Sequence, residues 1–180
     1  MAAITQQPKN VNFLSPLKFT FTVKKLPNVN FFVQQCTLPN IAIGRFDVPT
    51  PFIKLPEPGD HLEFGELQLT FRLDEDMKNY LELYNWMMAL GFPEKFEQYK
   101  TLADKDQRRT GFNASGDDSL MSDATLMISN SNVNSNIKVN FLNLWPTTIQ
   151  DLIFDFRQSD VEYMECLVTF AYERFDIIDV

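Results

Sequence analysis

The chain has 180 residues, 44% of them hydrophobic, and carries a formal net charge of −8. This length predicts a single domain, 1–180, with a sizeable core. The acidic balance excludes a nucleic-acid binder that works by neutralising phosphates. Phenylalanine is abundant, at 17 residues, and 10 prolines interrupt the chain. Because Phe favours pleated, half-buried surfaces, the composition predicts a mainly β protein.

The first residues and the cysteines indicate where the protein is made. Residues 1–8 lack the basic and apolar regions of a signal peptide, and no apolar run approaches membrane-spanning length. Cys36 and Cys166 lie far apart in apolar patterns, so we expect buried free thiols, with a disulfide as the open alternative. A cytoplasm-like environment and no membrane insertion are therefore expected.

The first part of the chain predicts two strands. Residues 1–12 are polar and are expected to form a flexible arm. Apolar residues alternate over 17–23, which predicts a half-buried strand. Leu26-Pro27-Asn28 predicts a turn into a second strand over 31–38, paired with the first as a hairpin and ended by Leu38-Pro39-Asn40.

Residues 44–61 combine proline and glycine with apolar side chains. The proline density forbids a central strand, and a plain surface loop would leave the apolar side chains in water. We expect a protruding arm that docks on another subunit, with an internally packed loop as the alternative. The candidate docking residues are Phe46, Val48, Phe52, Ile53 and Leu55.

The middle of the chain predicts a strand followed by a helix. Alternation over 64–73 indicates a strand, and Asp74-Glu75-Asp76 are expected to cap a helix over about 76–90. Its predicted core stripe is Met77, Tyr80, Leu81, Tyr84, Met87 and Met88. Residues 94–102 are expected to form a short second helix, and the polar residues 103–122 a loop excursion.

The last third predicts four strands, over 124–129, 137–145, 151–156 and 161–177. Pro146 cannot donate to a sheet ladder, so the Trp145-Pro146 step predicts a corner between two of them. Trp145 should pack this turn so that Leu152, Phe154 and Phe156 enter the core in register.

Acidic residues are concentrated near the end of the chain. Eight acidic and two basic residues lie between 151 and 180, so this stretch carries −6 of the total charge of −8. One interpretation is a solvated sheet face. The other is an acidic wall that faces a channel and repels a polyanion; its candidates are Asp151, Asp155, Glu162 and Glu165.

Residues that would support catalysis are scarce. His61 is the only histidine and follows a Pro-Gly-Asp turn, which is typical of a surface residue. No metal-ligand spacing and no glycine-rich phosphate loop occurs in the sequence, so neither a metal nor a cofactor is expected. We therefore predict a protein without enzymatic activity. An enzyme that uses unrecognised carboxylates is the minor alternative.

The order of these motifs resembles the tail tube proteins of contractile-tailed bacteriophages. The resemblance covers about residues 15–178 and rests on Leu38-Pro39-Asn40-Ile41, the proline-rich arm, Pro58-Gly59-Asp60, the 64–73 strand with Asp74-Glu75, the helix carrying Trp86, and Leu144-Trp145-Pro146-Thr147. Trp86, Trp145 and Pro146 are its marker residues. The chain departs from the family at Asn40, where glycine is common, and in the longer 103–122 stretch.

The resemblance implies a β-sandwich or small barrel of about six to eight antiparallel strands with one flanking helix. It implies homohexameric rings whose inner strands join into a continuous barrel and which stack through the 44–61 arm. DNA would pass through the channel without specific binding, and sheath and baseplate proteins would be partners. The expected location is the virion tail, assembled in the host cytoplasm. The type VI secretion inner tube is similar in fold.

Two other functions stay open at the level of sequence. One is a baseplate tube initiator or tail-end protein of the same fold, which forms a single ring. The other belongs to a different class: a β-barrel that binds a small ligand in its Phe-rich interior.

Overall fold

The computed structural model describes residues 12–91, 121–130, 134–157 and 163–179. These residues contain nine strands and two helices, so the mainly β class is confirmed with more strands than expected. Most of the polar arm, the 94–102 helix and all but the end of the 103–122 loop lie outside the described residues. The elements are β1 Phe19–Val23, α1 Pro27–Phe32, β2 Val33–Thr37, β3 Ile41–Pro49, β4 Lys54–Phe64, β5 Leu67–Arg72, α2 Lys78–Gly91, β6 Ser122–Ser129, β7 Ser135–Ile149, β8 Glu165–Ala171 and β9 Arg174–Asp179.

Seven strands form one antiparallel sheet in the order β1-β6-β7-β8-β5-β2, and β9 also pairs with β7. Strands β3 and β4 form a separate two-stranded sheet. The predicted hairpin between the first two strands is wrong, because β1 pairs with β6 and β2 with β5. Pro27 begins α1 instead of a turn, and Asn30 binds the backbone N–H and C=O of Val23 at 2.7 and 2.8 Å. The short helix therefore separates β1 from β2.

Strand β7 changes partners at Trp145-Pro146. Up to Leu144 it pairs with β6 and β9, and from Trp145 onward it pairs with β8. The ladder shifts register between Pro146 and Thr148, as expected where a proline cannot donate. The step is thus a bend within one strand rather than a break. It divides the sheet into a first half-sheet (β1, β6, β9 and residues 135–144 of β7) and a second half-sheet (residues 145–149 of β7 with β8, β5 and β2).

Both half-sheets bury side chains in one core, which is the arrangement of a β-sandwich. The ring of Phe141 lies 6.4 Å from that of Phe21 and 5.2 Å from that of Tyr172. Trp86 brings α2 onto the second half-sheet, with its ring 6.4 Å from that of Phe170. The fully buried side chains include Phe21, Val23, Leu67, Leu69, Phe71, Phe141, Leu144, Val168 and Phe170. The Phe-rich interior is filled by the protein's own side chains.

The predicted strand over 161–177 is two strands in the structure. β8 ends at Ala171 and β9 begins at Arg174, and both run antiparallel to β7. The interruption lies opposite the bend in β7, where Asn143 has a φ of 53° and Glu173 N–H donates to the Leu142 carbonyl. Because β7 bends there, the chain that pairs with it is interrupted at the same level, between β8 and β9. The alternating residues Cys166, Val168, Phe170 and Tyr172 of this stretch are buried.

The predicted strand over 151–156 is wrong. These residues carry no strand assignment, and Phe154 and Phe156 are 73% and 105% exposed instead of entering the core. Only Leu152 packs against the core. The Gln150 N–H makes the last bond to β8, at 2.8 Å from the Leu167 carbonyl. The alternating pattern therefore lacks a partner strand within the described residues.

Helix α2 buries a different face from the one predicted. Its bounds, Lys78–Gly91, agree with the expected 76–90, but its buried residues are Asn79, Leu83, Trp86 and Ala89. Leu81 and Tyr84 are exposed. The expected acidic cap is also wrong, because the helix begins after Asp76 and has no acid in its first turn. The hydrogen bonds at the start of the helix come from Asn79 instead. Its side chain accepts from the Tyr80 N–H at 2.9 Å and donates to the Arg72 carbonyl at 2.7 Å.

Candidate assembly surfaces

The proline-rich segment folds as a β-hairpin, with β3 paired to β4 from Ile41–Phe64 to Pro49–Lys54. Its tip is closed by bonds from the Thr50 N–H to the Ile53 carbonyl and from the Ile53 N–H to Thr50 Oγ1, both at 3.1 Å, and the Thr50 hydroxyl also donates to the Ile53 carbonyl. Proline is tolerated here because each strand of a two-stranded ribbon has one unpaired edge. The structure thus extends the predicted 44–61 arm into a hairpin over 41–64.

The predicted docking residues all lie in this hairpin. Phe52 and Ile53 at the tip are 93% and 61% exposed. Phe46 and Leu55 are also exposed, and Val48 is half-buried. Ile41, Ile43 and Leu62 extend the exposed apolar surface toward the base of the hairpin. This concentration of exposed large apolar side chains is the pattern of a protein-binding surface.

The second half-sheet carries a polar face on the side opposite the core. Cross-strand register places Gln35 beside Thr70, Thr37 beside Gln68, and Thr148 beside Thr169. The charged residues of this face in the described strands are Arg72 and Glu165, which are cross-strand neighbours with Arg72 Nε 3.4 Å from Glu165 Oε1. Leu167, which pairs with Thr70, and Ala171 also lie on this face, so it is largely polar and close to neutral.

The predicted acidic residues occupy different places. Glu165 lies on this polar face, whereas Asp151 and Asp155 lie in the segment after β7, and Glu162 is outside the described residues. Side-chain hydrogen bonding from Arg157 lowers the pKa of Asp155 below its ordinary value. Two of the three described carboxylates thus have a cationic partner.

The three marker residues surround the bend in the sheet. Trp86 is buried and joins α2 to the core, Pro146 is buried within β7, and Trp145 packs partly against the core. Sequence reasoning placed Trp145 at a change of chain direction, and the structure puts it where β7 passes from one half-sheet to the other.

Within the described residues, side chains that could act in catalysis or bind a metal are not brought together. His61 is exposed on β4. No group of three or more His, Cys, Asp or Glu side chains that could hold a metal occurs in the described parts of the chain. Burial raises the pKa of Cys36 to about 12 and that of Cys166 to about 11, so both thiols stay protonated at neutral pH. Neither described helix is long and apolar enough to cross a membrane.

Sequence reasoning missed two surfaces. The outward side of α2 presents Leu81 and Tyr84, which line an open groove with the half-buried Tyr80 and with Glu75, Asp76 and Met77. The stripe was recognised but was assigned to the core. The second is the polar face of the second half-sheet: the alternation of Gln68, Thr70 and Arg72 with buried residues indicated its part on β5, but not the neighbouring strands that complete it.

The described residues thus form a mainly β fold with an exposed hairpin. The family model described as phage tail tube protein matches residues 4–178, and the chain therefore belongs to that family of structural tube proteins. The predicted family is confirmed. No curated protein matches the chain closely enough to count as a relative.

Solved structures of injection-system particles share the fold. The cap that terminates the anti-feeding prophage tube is 12% identical, with a TM-score of 0.59 and full coverage of both chains. A chain of the sheath-tube complex of the extracellular contractile injection system PVC, in its extended state, is 13% identical, with a TM-score of 0.56 and 94% coverage of each chain. A chain of the PVC sheath/tube terminator has the same identity and TM-score and covers 94% of this chain and 99% of its own.

Proposed function

We propose that this protein is the repeating subunit of a phage tail tube, in which copies form hexameric rings and the rings stack into a channel for DNA. The family match supports the tube role, and the single observation that carries the stacking is the exposed hairpin over 41–64. The sheath, the baseplate and a place in the virion tail belong to the same proposal. The PVC structure that contains a chain of similar fold is a sheath-tube complex.

The hairpin is suited to contact a neighbouring ring. It forms its own two-stranded sheet, and its apolar tip residues Phe52 and Ile53 are largely in water. Burying one large apolar side chain contributes roughly 1.5–3 kcal/mol. A ring presents one such tip per subunit, so modest contacts add up around the circumference.

The polar face of the second half-sheet is suited to line the channel. Its core side is already covered, so its other side must meet either solvent or a partner. Threonine, glutamine and one Arg72–Glu165 pair provide hydrogen-bonding groups with little net charge. DNA phosphates would meet neither a binding site nor strong repulsion along it.

Electron microscopy of a hairpin variant tests the proposal. Phe52→Asp places a charge at the apolar tip, so we expect rings that fail to stack into tubes. Phe52→Leu keeps the tip apolar and is the matched control, expected to form tubes like the unmodified protein. Tubes of normal length from Phe52→Asp would remove the hairpin from the stacking contact. The absence of rings and tubes from the unmodified protein and from particles that contain it would contradict the tube function.

A ring that ends the tube is the second candidate. The fold matches the anti-feeding prophage cap over the full length of both chains, and this match is the observation that supports the second candidate. The number of copies per particle separates the two, because a terminal ring holds one set of subunits and a tube holds many. A ligand-binding barrel is disfavoured because the described interior is packed with side chains such as Phe71 and Phe141.

A further inference from the structure

The hairpin over 41–64 joins the rest of the subunit at a narrow base. Its strands β3 and β4 form a sheet of their own, and immediately outside them the Gly65 N–H donates to the Asn40 carbonyl at 2.9 Å. A Cβ at Gly65 would overlap Oδ1 of Asn40, so glycine permits this close crossing. A two-stranded ribbon on such a base can swing as a unit unless side chains outside it hold the base in place.

Tyr172 holds this base from outside the hairpin. It lies between β8 and β9, and its hydroxyl donates to the Gly65 carbonyl at 2.7 Å. Burial raises the pKa of Tyr172 to about 12, so the hydroxyl keeps its proton and remains a donor at neutral pH. Because a hydrogen bond weakens steeply when it bends, this bond restricts the direction in which the hairpin leaves the body of the subunit.

The ring of Tyr172 is fixed in turn by the aromatic core. It lies 5.2 Å from the ring of Phe141 and 6.1 Å from that of Phe175, and both of these residues are buried. Phe64, the last residue of β4, joins this cluster from the hairpin, with its ring 5.4 Å from that of Phe175 and 6.2 Å from that of Tyr172. Apolar burial favours proximity more than a particular direction, so the hydroxyl is the group that sets the angle of the hairpin.

We propose that Tyr172 is a positioning residue for ring stacking, because its hydroxyl bond to Gly65 fixes the direction of the hairpin. This role rests on the proposed function, in which the tip residues Phe52 and Ile53 contact the next ring. A hairpin held in one direction presents its tip without first losing conformational freedom, which lowers the free-energy cost of association. Tyr172 is buried in the subunit, so it acts through the hairpin and not by touching the next ring.

Tyr172→Phe tests this role because it removes the hydroxyl and keeps the ring in the core. In dispersed subunits of the full chain, we expect the Gly65 N–H to exchange roughly fivefold to tenfold faster, the factor to which one lost hydrogen bond corresponds. The Thr50 N–H at the tip should exchange at its usual rate, because the hairpin stays paired. Residual dipolar couplings of the hairpin amides should fall relative to those of the core, since the hairpin then samples several directions. The subunit concentration at which electron micrographs show stacked tubes should rise several-fold.

Two variants serve as controls for Tyr172→Phe. Tyr84→Phe removes a hydroxyl at an exposed site on α2 and should change none of these measurements. Ile128→Val shortens a partly buried side chain that packs on the core from the first half-sheet. Such a change lowers stability modestly, so the urea midpoint should fall about as far as in Tyr172→Phe, while the dipolar couplings and the tubes stay normal.

The outcomes separate this role from the tube function. Normal couplings or normal tubes from Tyr172→Phe overturn the positioning role and leave the tube function standing. An equal loss of tubes in Ile128→Val would assign the effect to lower stability, which also overturns the role. If the unmodified protein forms no tube in any preparation, the tube function fails, whereas the couplings of the dispersed subunit still decide whether Tyr172 sets the direction of the hairpin.

Discussion

At the scale of single residues, Gly59 lets the two strands of the hairpin approach each other closely at Gly44. A Cβ at Gly59 would lie 2.7 Å from the carbonyl oxygen and 2.9 Å from the carbonyl carbon of Gly44, both backbone atoms of the opposite strand. These backbone atoms cannot move away from an added Cβ as the end of a flexible side chain could. The approach coincides with the shift in register between Ile43 and Arg45, so glycine at 59 permits the irregular pairing there.

Gly59→Ala should therefore loosen the hairpin without unfolding the core. We expect amides over 41–64 to exchange roughly tenfold faster, while the urea midpoint of the whole protein changes little. Gly44→Ala is the matched control, because a Cβ at Gly44 meets nothing within 4 Å. Equal exchange rates in the two variants would show that the close approach does not hold the hairpin.

At the scale of elements, the sequence predicted periodic segments well and pairing poorly. The strands around Phe71 and Val168 and the position of α2 follow from local alternation and spacing, which report a buried face directly. The partner of each strand depends on distant residues. Pro27 reads locally as a turn, yet Asn30 and its bonds to Val23 make it the start of a helix that separates two strands.

The assembly surfaces were predictable only in part, because a local sequence pattern shows which residues are apolar but not what covers them. The exposure of Phe52 follows from proline density around it, because such a segment cannot enter a central strand. The pattern at 151–156 was read as core because alternation shows that one face is apolar and says nothing about what covers it. Buried Asn79 was missed because a polar residue normally marks the outer face of a helix.

Asn79 offers a test of how α2 is attached to β5. Its side chain bonds the Arg72 carbonyl, the Tyr80 N–H and, at 3.3 Å, the Asp74 N–H. Asn79→Ala removes these bonds and leaves a carbonyl without its partner, so we expect a loss of about 2–3 kcal/mol in the free energy of unfolding. Asn85→Ala on the exposed side of the same helix should stay within about 0.5 kcal/mol. Urea denaturation measures both, and similar losses would contradict a specific role for Asn79.

At the scale of the whole molecule, the charge of the channel wall distinguishes two hypotheses about the channel. The predicted acidic wall would repel DNA, whereas the polar face of the second half-sheet balances Glu165 with Arg72. In a subunit of net charge −8, a near-neutral face is a local property and does not follow from composition. If this face lines the channel, one added cation per subunit should hold DNA phosphates.

Thr70→Lys adds that cation at the centre of the polar face, between Gln68 and Arg72 on β5. We expect particles built from this variant to release DNA several-fold more slowly at low salt. The delay should fade as salt rises, because the screening length drops from about 10 Å at 0.1 M to about 3 Å at 1 M. Asn136→Lys places the same charge on the first half-sheet, where residue 136 is exposed, and should leave release unchanged. Equal delays in the two variants, or a delay in Asn136→Lys alone, would place the channel wall elsewhere on the subunit.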